Sequence, residues 1–212
     1  MAKVPTPSER LFKDGANVLS NAELLSLFMD EDTAKAKNTL LFNLQSWREL
    51  MLSTESQFEA LGIPKIALAR VLATKELNER FLTEEMERGD ALNDVTSVKK
   101  FLVSKLRDLE HEQFHVLFLD NKHRVQAVEC HGIGTIDSAS VHPREILKAA
   151  MKHNCSAVIL AHNHPSGVSV PSQSDHRITD KIKEVLSLVD VRTLDHFIIG
   201  EDVLSFAEKG YL

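Results

Sequence analysis

Residues 156–162, SAVILAH, constrain the fold more than any other stretch of the chain. A short apolar run of this kind, ended by polar and turn residues, reads as a buried strand. A buried strand needs cover, and the flanking sequence supplies it. Pro143 opens a helix, PREILKAAMKH, ahead of the run, and a second helix is expected from about Ser172 to Leu188. QFHVLFLD and HRVQAVECHGIGT read as two strands joined through an Asp120-Asn121-Lys122 turn. A helix is expected over 96–107, a strand over VRTLDHFIIG (191–200), and a short strand at VLSF. Strands mixed with helices and led by a hairpin predict an α+β (mixed α/β) fold around a central sheet.

The first part of the chain has no strand signal. Ser20-Asn21-Ala22-Glu23 is a capping-box pattern ahead of Leu24, Leu25, Leu27 and Phe28. Residues 33–46 carry Ala36, Leu40, Leu41 and Leu44 at helical spacing. A short helix is expected to stop at Gly62, and Pro64 to open another that ends near Phe81. Residues 83–94, TEEMERGDALND, are polar and acidic, which suggests a linker. The expected organisation is a helical domain over 1–82, a linker over 83–94 and a second domain over 95–212.

Composition narrows the function classes. Of the 212 residues 43% are hydrophobic, enough for a packed core, and no apolar run approaches the length of a membrane span. The N-terminus carries no secretory pattern, and the two cysteines, Cys130 and Cys155, lie outside any C-x-x-C, so a cytoplasmic protein is expected. Cys130 reads as a small core residue. The net charge is −6, and neither part has a basic excess: residues 1–90 hold 11 basic against 15 acidic side chains, and residues 91–212 hold 14 against 16. That balance argues against a duplex-binding domain.

The chemistry gathers where the buried strand ends, at LAHNHPSG. Residues i and i+2 of a strand point the same way, so His162 and His164 can share one metal ion. Asp175 follows in the first turn of the expected helix, within reach of both. Two His and one Asp leave a fourth tetrahedral position open, the layout of a catalytic zinc site. Ser172 and Asp175 also form an S-x-x-D helix start, which needs no metal. Such a site calls for a non-ligating proton shuttle. Several glutamates qualify; Glu129 stands out because strand alternation among Val125, Ala127 and Val128 can aim it inward.

His162, His164, Pro165, Ser172 and Asp175 together resemble the JAMM motif of JAB/MPN-type zinc metalloproteases. VHPREI (141–146), LAHNHPSG (160–167), PSQSD (171–175) and LDHFIIG (194–200) resemble the bacterial RadC-like proteins, historically called DNA repair proteins. The resemblance implies an MPN/JAB-type (cytidine deaminase-like) mixed sheet flanked by helices, with one zinc ion per chain held by His162, His164 and Asp175. It implies Glu129 as the acid/base, a few residues before Gly134-Thr135, and Ser172 as a support for the oxyanion. The implied activity is zinc-dependent hydrolysis of a peptide or isopeptide bond in a peptide or protein substrate. His142 and His196 lie in family-like stretches, either orienting a ligand or serving as structural histidines.

Two other readings follow from the same likeness: a DNA-repair-associated nucleic-acid-binding factor, and a non-catalytic zinc-bearing interaction scaffold. The family's helical region often carries a G-x-G hairpin that meets phosphates. Here LGIPKIALARVL keeps Gly62 but has Pro64 or Lys65 at the second glycine position, so a small helical bundle is the preferred reading and DNA a less favoured partner.

Overall fold

The computed structural model describes residues 5–27, 46–88, 95–134 and 141–212, with the backbone alone over 85–88. The chain divides into two compact units, Met1–Asn78 and Glu79–Leu212. The helical repeat expected over 33–46 lies, but for its last residue, outside the described residues.

The first unit is helical as expected: α1 (Pro7–Asp14), α2 (Asn21–Ser26), α3 (Trp47–Leu52), α4 (Glu55–Ala60) and the start of α5 (Lys65–Arg88). These short helices begin on local signals. Thr6 with Glu9, Ser20 with Glu23, and Thr54 with Gln57 each form a capping box, satisfying orphan N–H groups that a short helix has no turns to spare for. Leu25, Leu50, Phe58, Ile63, Ala67, Leu68 and Val71 make the unit's core. Gly62 closes α4 with φ +66, a left-handed conformation that disfavours any side chain, although a Cβ there would meet nothing. Lys65, the basic residue of this hairpin, pairs with Glu55 and, at 3.2 Å, with Glu59.

The division between the units falls at 78/79, earlier than the expected domain end at 82. Residues 83–88, expected as linker, continue α5 rather than leaving it at Phe81. Glu, Met and Arg are good helix formers, and polarity alone does not end a helix. The rest of that expected linker, 89–94, lies outside the described residues.

The second unit is a five-stranded mixed sheet with helices on both faces. Its elements are α6 (Val95–Leu106), β1 (Glu112–Leu119), β2 (Val125–Gly134), α7 (Pro143–Lys152), β3 (Ala157–Asn163), α8 (Gln173–Ser187), β4 (Arg192–Ile199), β5 (Val203–Ser205) and α9 (Phe206–Lys209). The strand order is β2-β1-β3-β4-β5. Only β3 and β4 run parallel, with α8 as the crossover that a parallel pair requires.

Alternation along the strands sorts side chains to two cores. Leu117, Leu119, Ala157, Ile159, Ala161 and Phe197 pack with Phe101, Leu102 and Leu106 of α6. Phe114, Val116, Phe118, Val158 and Leu160 pack with Ile146 of α7 and Ile182 and Leu186 of α8. Every residue of β3 is buried, as its apolar run predicts. Among the described residues no helix is long and apolar enough to cross a membrane.

Phe118 is fully buried and meets the rings of His131 and His153, so its removal leaves a cavity that the surrounding strands and helix cannot close. Phe118→Ala should therefore lower unfolding free energy by about 3–5 kcal/mol, read from urea denaturation of the metal-free protein.

Candidate metal centre

β3 delivers His162 to the face it shares with α7 and α8, and the chain leaves the sheet at His164. His162 is 1% exposed. Burial holds its pKa at about 4, so the ring is neutral. Its ring stacks on Phe114 at 6.0 Å.

The ring's tautomer follows from a buried chain of hydrogen bonds. The Thr179 hydroxyl donates to the Asp175 carbonyl at 2.6 Å. Its oxygen therefore accepts from His196 Nδ1–H, also at 2.6 Å. That leaves His196 Nε2 to accept from His162 Nδ1–H at 2.8 Å. The Nε2 of His162 then carries a lone pair. Burial, with the neighbouring His162, also pushes the His196 pKa far down, consistent with a neutral relay.

His164 reaches the same state by a different route. Its Nδ1 lies 2.6 Å from the Val168 carbonyl and donates to it, leaving Nε2 as a lone pair. The loop that holds it is tied to the β4–β5 turn: His164 N–H donates to Ile199 O at 2.9 Å, and Glu201 N–H to Gly167 O at 2.7 Å. Gly200 permits this approach, since a Cβ there would sit 2.3 Å from Gly167 O.

The two Nε2 atoms face each other at 2.9 Å, and Asp175 stands beside them, Oδ1 3.3 Å from His162 and Oδ2 3.7 Å from His164. Opposed lone pairs next to a carboxylate call for a positive charge between them. A proton meets part of that need: the hydrogen bond with Asp175 raises the His164 pKa against the effect of burial. A metal ion meets all of it. The three donor atoms lie within 4.8 Å of one another, and two imidazole nitrogens with one carboxylate oxygen suit zinc.

Asp175 serves two purposes with one side chain. Its Oδ2 accepts from Ser172 N–H at 2.6 Å while Ser172 Oγ accepts from Asp175 N–H at 3.2 Å, completing the capping box of α8. Burial pushes its carboxyl up, but His164, His162 and Ser172 outweigh that and hold it below the ordinary carboxylate range. The side chain that caps α8 also stands beside both imidazoles, so the two sequence readings of Asp175 do not exclude each other.

The structure does not bring Glu129 to this cluster. It pairs with Val116, which pairs with Leu160, so it sits two strands from β3 and level with a residue two before His162. Its carboxylate meets His153 at 2.7 Å and Lys152 and His131 at 3.4 Å. The His153 hydrogen bond holds its pKa down, which suits a fixed anion more than a proton shuttle. Gly134 ends β2, and Thr135 lies outside the described residues. Cys130, expected in the core, is exposed on β2. His142 stands as the N-cap residue of α7, without a side-chain capping bond.

The carboxylate beside the cluster is Glu112, which the sequence reading passed over. β1 pairs antiparallel with β3 through Phe114↔His162, so the same register sets Glu112 level with His164. Alternation puts Glu112 on the face of Phe114 and His162. Burial raises its pKa; the charges of His164 and Asp175 also act on it, in opposite directions. It lines a cavity of about 490 Å³ with Glu110, His111, Gly134, His164, Pro165 and Ser166. The signal in the sequence was Glu112 as the first member of the stripe Glu112, Phe114, Val116, Phe118.

Two outcomes follow for metal binding. His196→Ala removes the acceptor that fixes the His162 tautomer, and zinc affinity measured against a competing chelator should fall by about 10- to 100-fold. Zinc must also displace the proton that Asp175 stabilises on His164. Because that pKa is raised, affinity should already decline at pH values above the ordinary imidazole range, by about tenfold per pH unit below the His164 pKa. A pH-independent affinity between pH 8 and 5 would contradict this arrangement.

Known proteins resemble this chain along its length. A family model described as the RadC-like JAB domain matches residues 92–211. A UPF0758 protein of Vibrio cholerae serotype O1 is 44% identical over 222 residues, covering 100% of this chain and 99% of the relative. A UPF0758 protein of Nitrosococcus oceani is 47% identical over 215 residues, covering 97% and 95%. One of Vibrio atlanticus is 44% identical over 222 residues, covering 100% and 99%. The chain belongs to the RadC-like JAB domain family.

Proposed function

We propose that the chain is a zinc-dependent metallopeptidase-type hydrolase that cuts a peptide or isopeptide bond. The observation that carries this reading is the pair of imidazole lone pairs turned onto one carboxylate, with a further carboxylate, Glu112, in the adjoining cavity. His162, His164 and Asp175 would hold the zinc ion. When bound, the ion lowers the pKa of water to about 7 and polarises a carbonyl.

The chain's own residues account for the remaining chemistry. Glu112, not Glu129, takes the proton from the attacking water and returns it to the leaving amine. Its raised pKa brings it closer to neutrality, where one group can both accept and release a proton. Ser172 Oγ accepts from Asp175 N–H, which leaves its own proton to donate toward an oxyanion. His196 and Thr179 keep His162 in the tautomer that presents Nε2.

A peptide fits the cavity better than a polyanion. Glu110 and Glu112 line it, and both disfavour phosphate. Ile133, next to the lining residue Gly134, and Val168, which follows the lining loop, are exposed apolar side chains suited to an extended chain. In the helical unit, the pairing of Lys65 with Glu55 and Glu59 likewise weakens a phosphate-binding role for the hairpin.

The test is turnover of a quenched-fluorescence peptide library by the zinc-loaded protein. Glu112→Gln should keep its zinc and lower kcat by about 10²- to 10⁴-fold, whereas Glu129→Gln should lose far less. The reverse order would return the acid/base role to Glu129. No cleavage by zinc-replete protein of any library member, isopeptide-linked members included, would remove the peptidase reading.

A further inference from the structure

We infer that Asn163, the middle residue of His-Asn-His, is the positioning residue that sets Glu112 against the metal centre. The inference rests on the proposed role of Glu112 and adds the device that places it. Asn163 is 0% exposed and points to the face opposite His162. All of its side-chain hydrogen bonds go to the segment that carries Glu112. Its Oδ1 accepts from Gln113 N–H at 2.8 Å. Its Nδ2 donates to His111 O at 3.1 Å and to Leu109 O at 3.4 Å.

These bonds grip the backbone immediately before and immediately after Glu112. Strand pairing between β1 and β3 begins only at Phe114↔His162, two residues further in. Glu112 thus lies beyond the β1–β3 ladder, and the Asn163 amide takes over where that ladder stops. One peptide of chain separates the amide from each of the two histidines, so Glu112 and the imidazoles take their positions from the same three residues. The bracketed residue, Glu112, lines the same cavity as His164. An amide is the side chain for this work, because it alone offers an acceptor to an N–H and two donors to carbonyls.

The experiment uses the full chain loaded with cobalt(II) and acetohydroxamic acid as the probe. A hydroxamic acid gives up its O–H proton on binding a metal, and a carboxylate beside the site takes it. Affinity is read from the cobalt absorption bands, and metal content is measured separately. Glu112→Gln and Asn163→Ala should each retain one cobalt per chain and each weaken the hydroxamate by about tenfold or more. The double variant should be no weaker than Glu112→Gln alone, because both changes remove the same carboxylate from the same place.

Asn163→Ser is the second variant, and folding of each variant is checked by circular dichroism. It keeps a hydroxyl in place of the amide with no added charge, and gives up the two donors to His111 O and Leu109 O; it too should bind cobalt and bind hydroxamate less tightly. Wild-type hydroxamate affinity in either folded Asn163 variant, or additive losses in the double variant, would overturn the inference while leaving the zinc site intact. A wild-type protein that binds no cobalt would instead overturn the site itself, and this inference with it.

Discussion

The structure turns on one buried imidazole. His162 lies inside the sheet's packed face, where a charged ring is not sustainable and each ring nitrogen needs a defined partner. Nδ1 donates to His196 on the neighbouring strand, His196 donates to Thr179 on α8, and Thr179 donates to the carbonyl of Asp175. Each step is the only one compatible with the step before it. The chain fixes the tautomer of His162, and it also fixes the depth at which α8 packs on β4. Asp175 enters the cluster on that helix, so the same hydrogen bonds that set the His162 tautomer bring the carboxylate beside its Nε2.

The helix N-terminus strengthens the arrangement. A carboxylate in the first turn of α8 answers the unsatisfied N–H groups there and the positive end of the helix dipole. Helix stability and the proposed metal site therefore ask for the same state of Asp175, an anion oriented by Ser172. Sites that bury charge normally do so at a cost to the fold. Here the capping interaction, of the order of 1 kcal/mol, offsets part of that cost.

Much of this was legible in the sequence because it depends on short-range pattern. The buried run of β3, the i, i+2 placement of His162 and His164, and the Ser172–Asp175 box all act within a few residues. Pattern is silent where placement depends on pairing between distant strands. Glu129 and Glu112 both sit on alternating strands, and alternation gives a face without giving a position along it. Only the register Phe114↔His162 puts Glu112 level with His164 and leaves Glu129 among His131, Lys152 and His153. Exposure of Cys130 has the same origin: it lies on β2, an edge strand of the sheet, which the sequence does not identify as an edge. The helical stretch 83–88 shows the converse, where a reading from polarity gave way to local helix propensity.

Strand alternation also explains how three consecutive residues can take three separate sets of partners. His162 points to the α7/α8 face and joins the buried relay, and Asn163 points to the opposite face and holds the entry to β1. His164 lies just past the strand and is oriented by its own loop through Val168. An antiparallel neighbour is what makes this useful. Because β1 runs against β3, the beginning of one strand meets the end of the other, and a carboxylate at the start of β1 arrives beside the histidines at the end of β3. A parallel neighbour would have presented its far end instead, and would have left Asp175 as the acid beside the imidazoles without a second carboxylate from the sheet. β4, the parallel neighbour, accordingly contributes a buried orienting histidine rather than a group in the cavity.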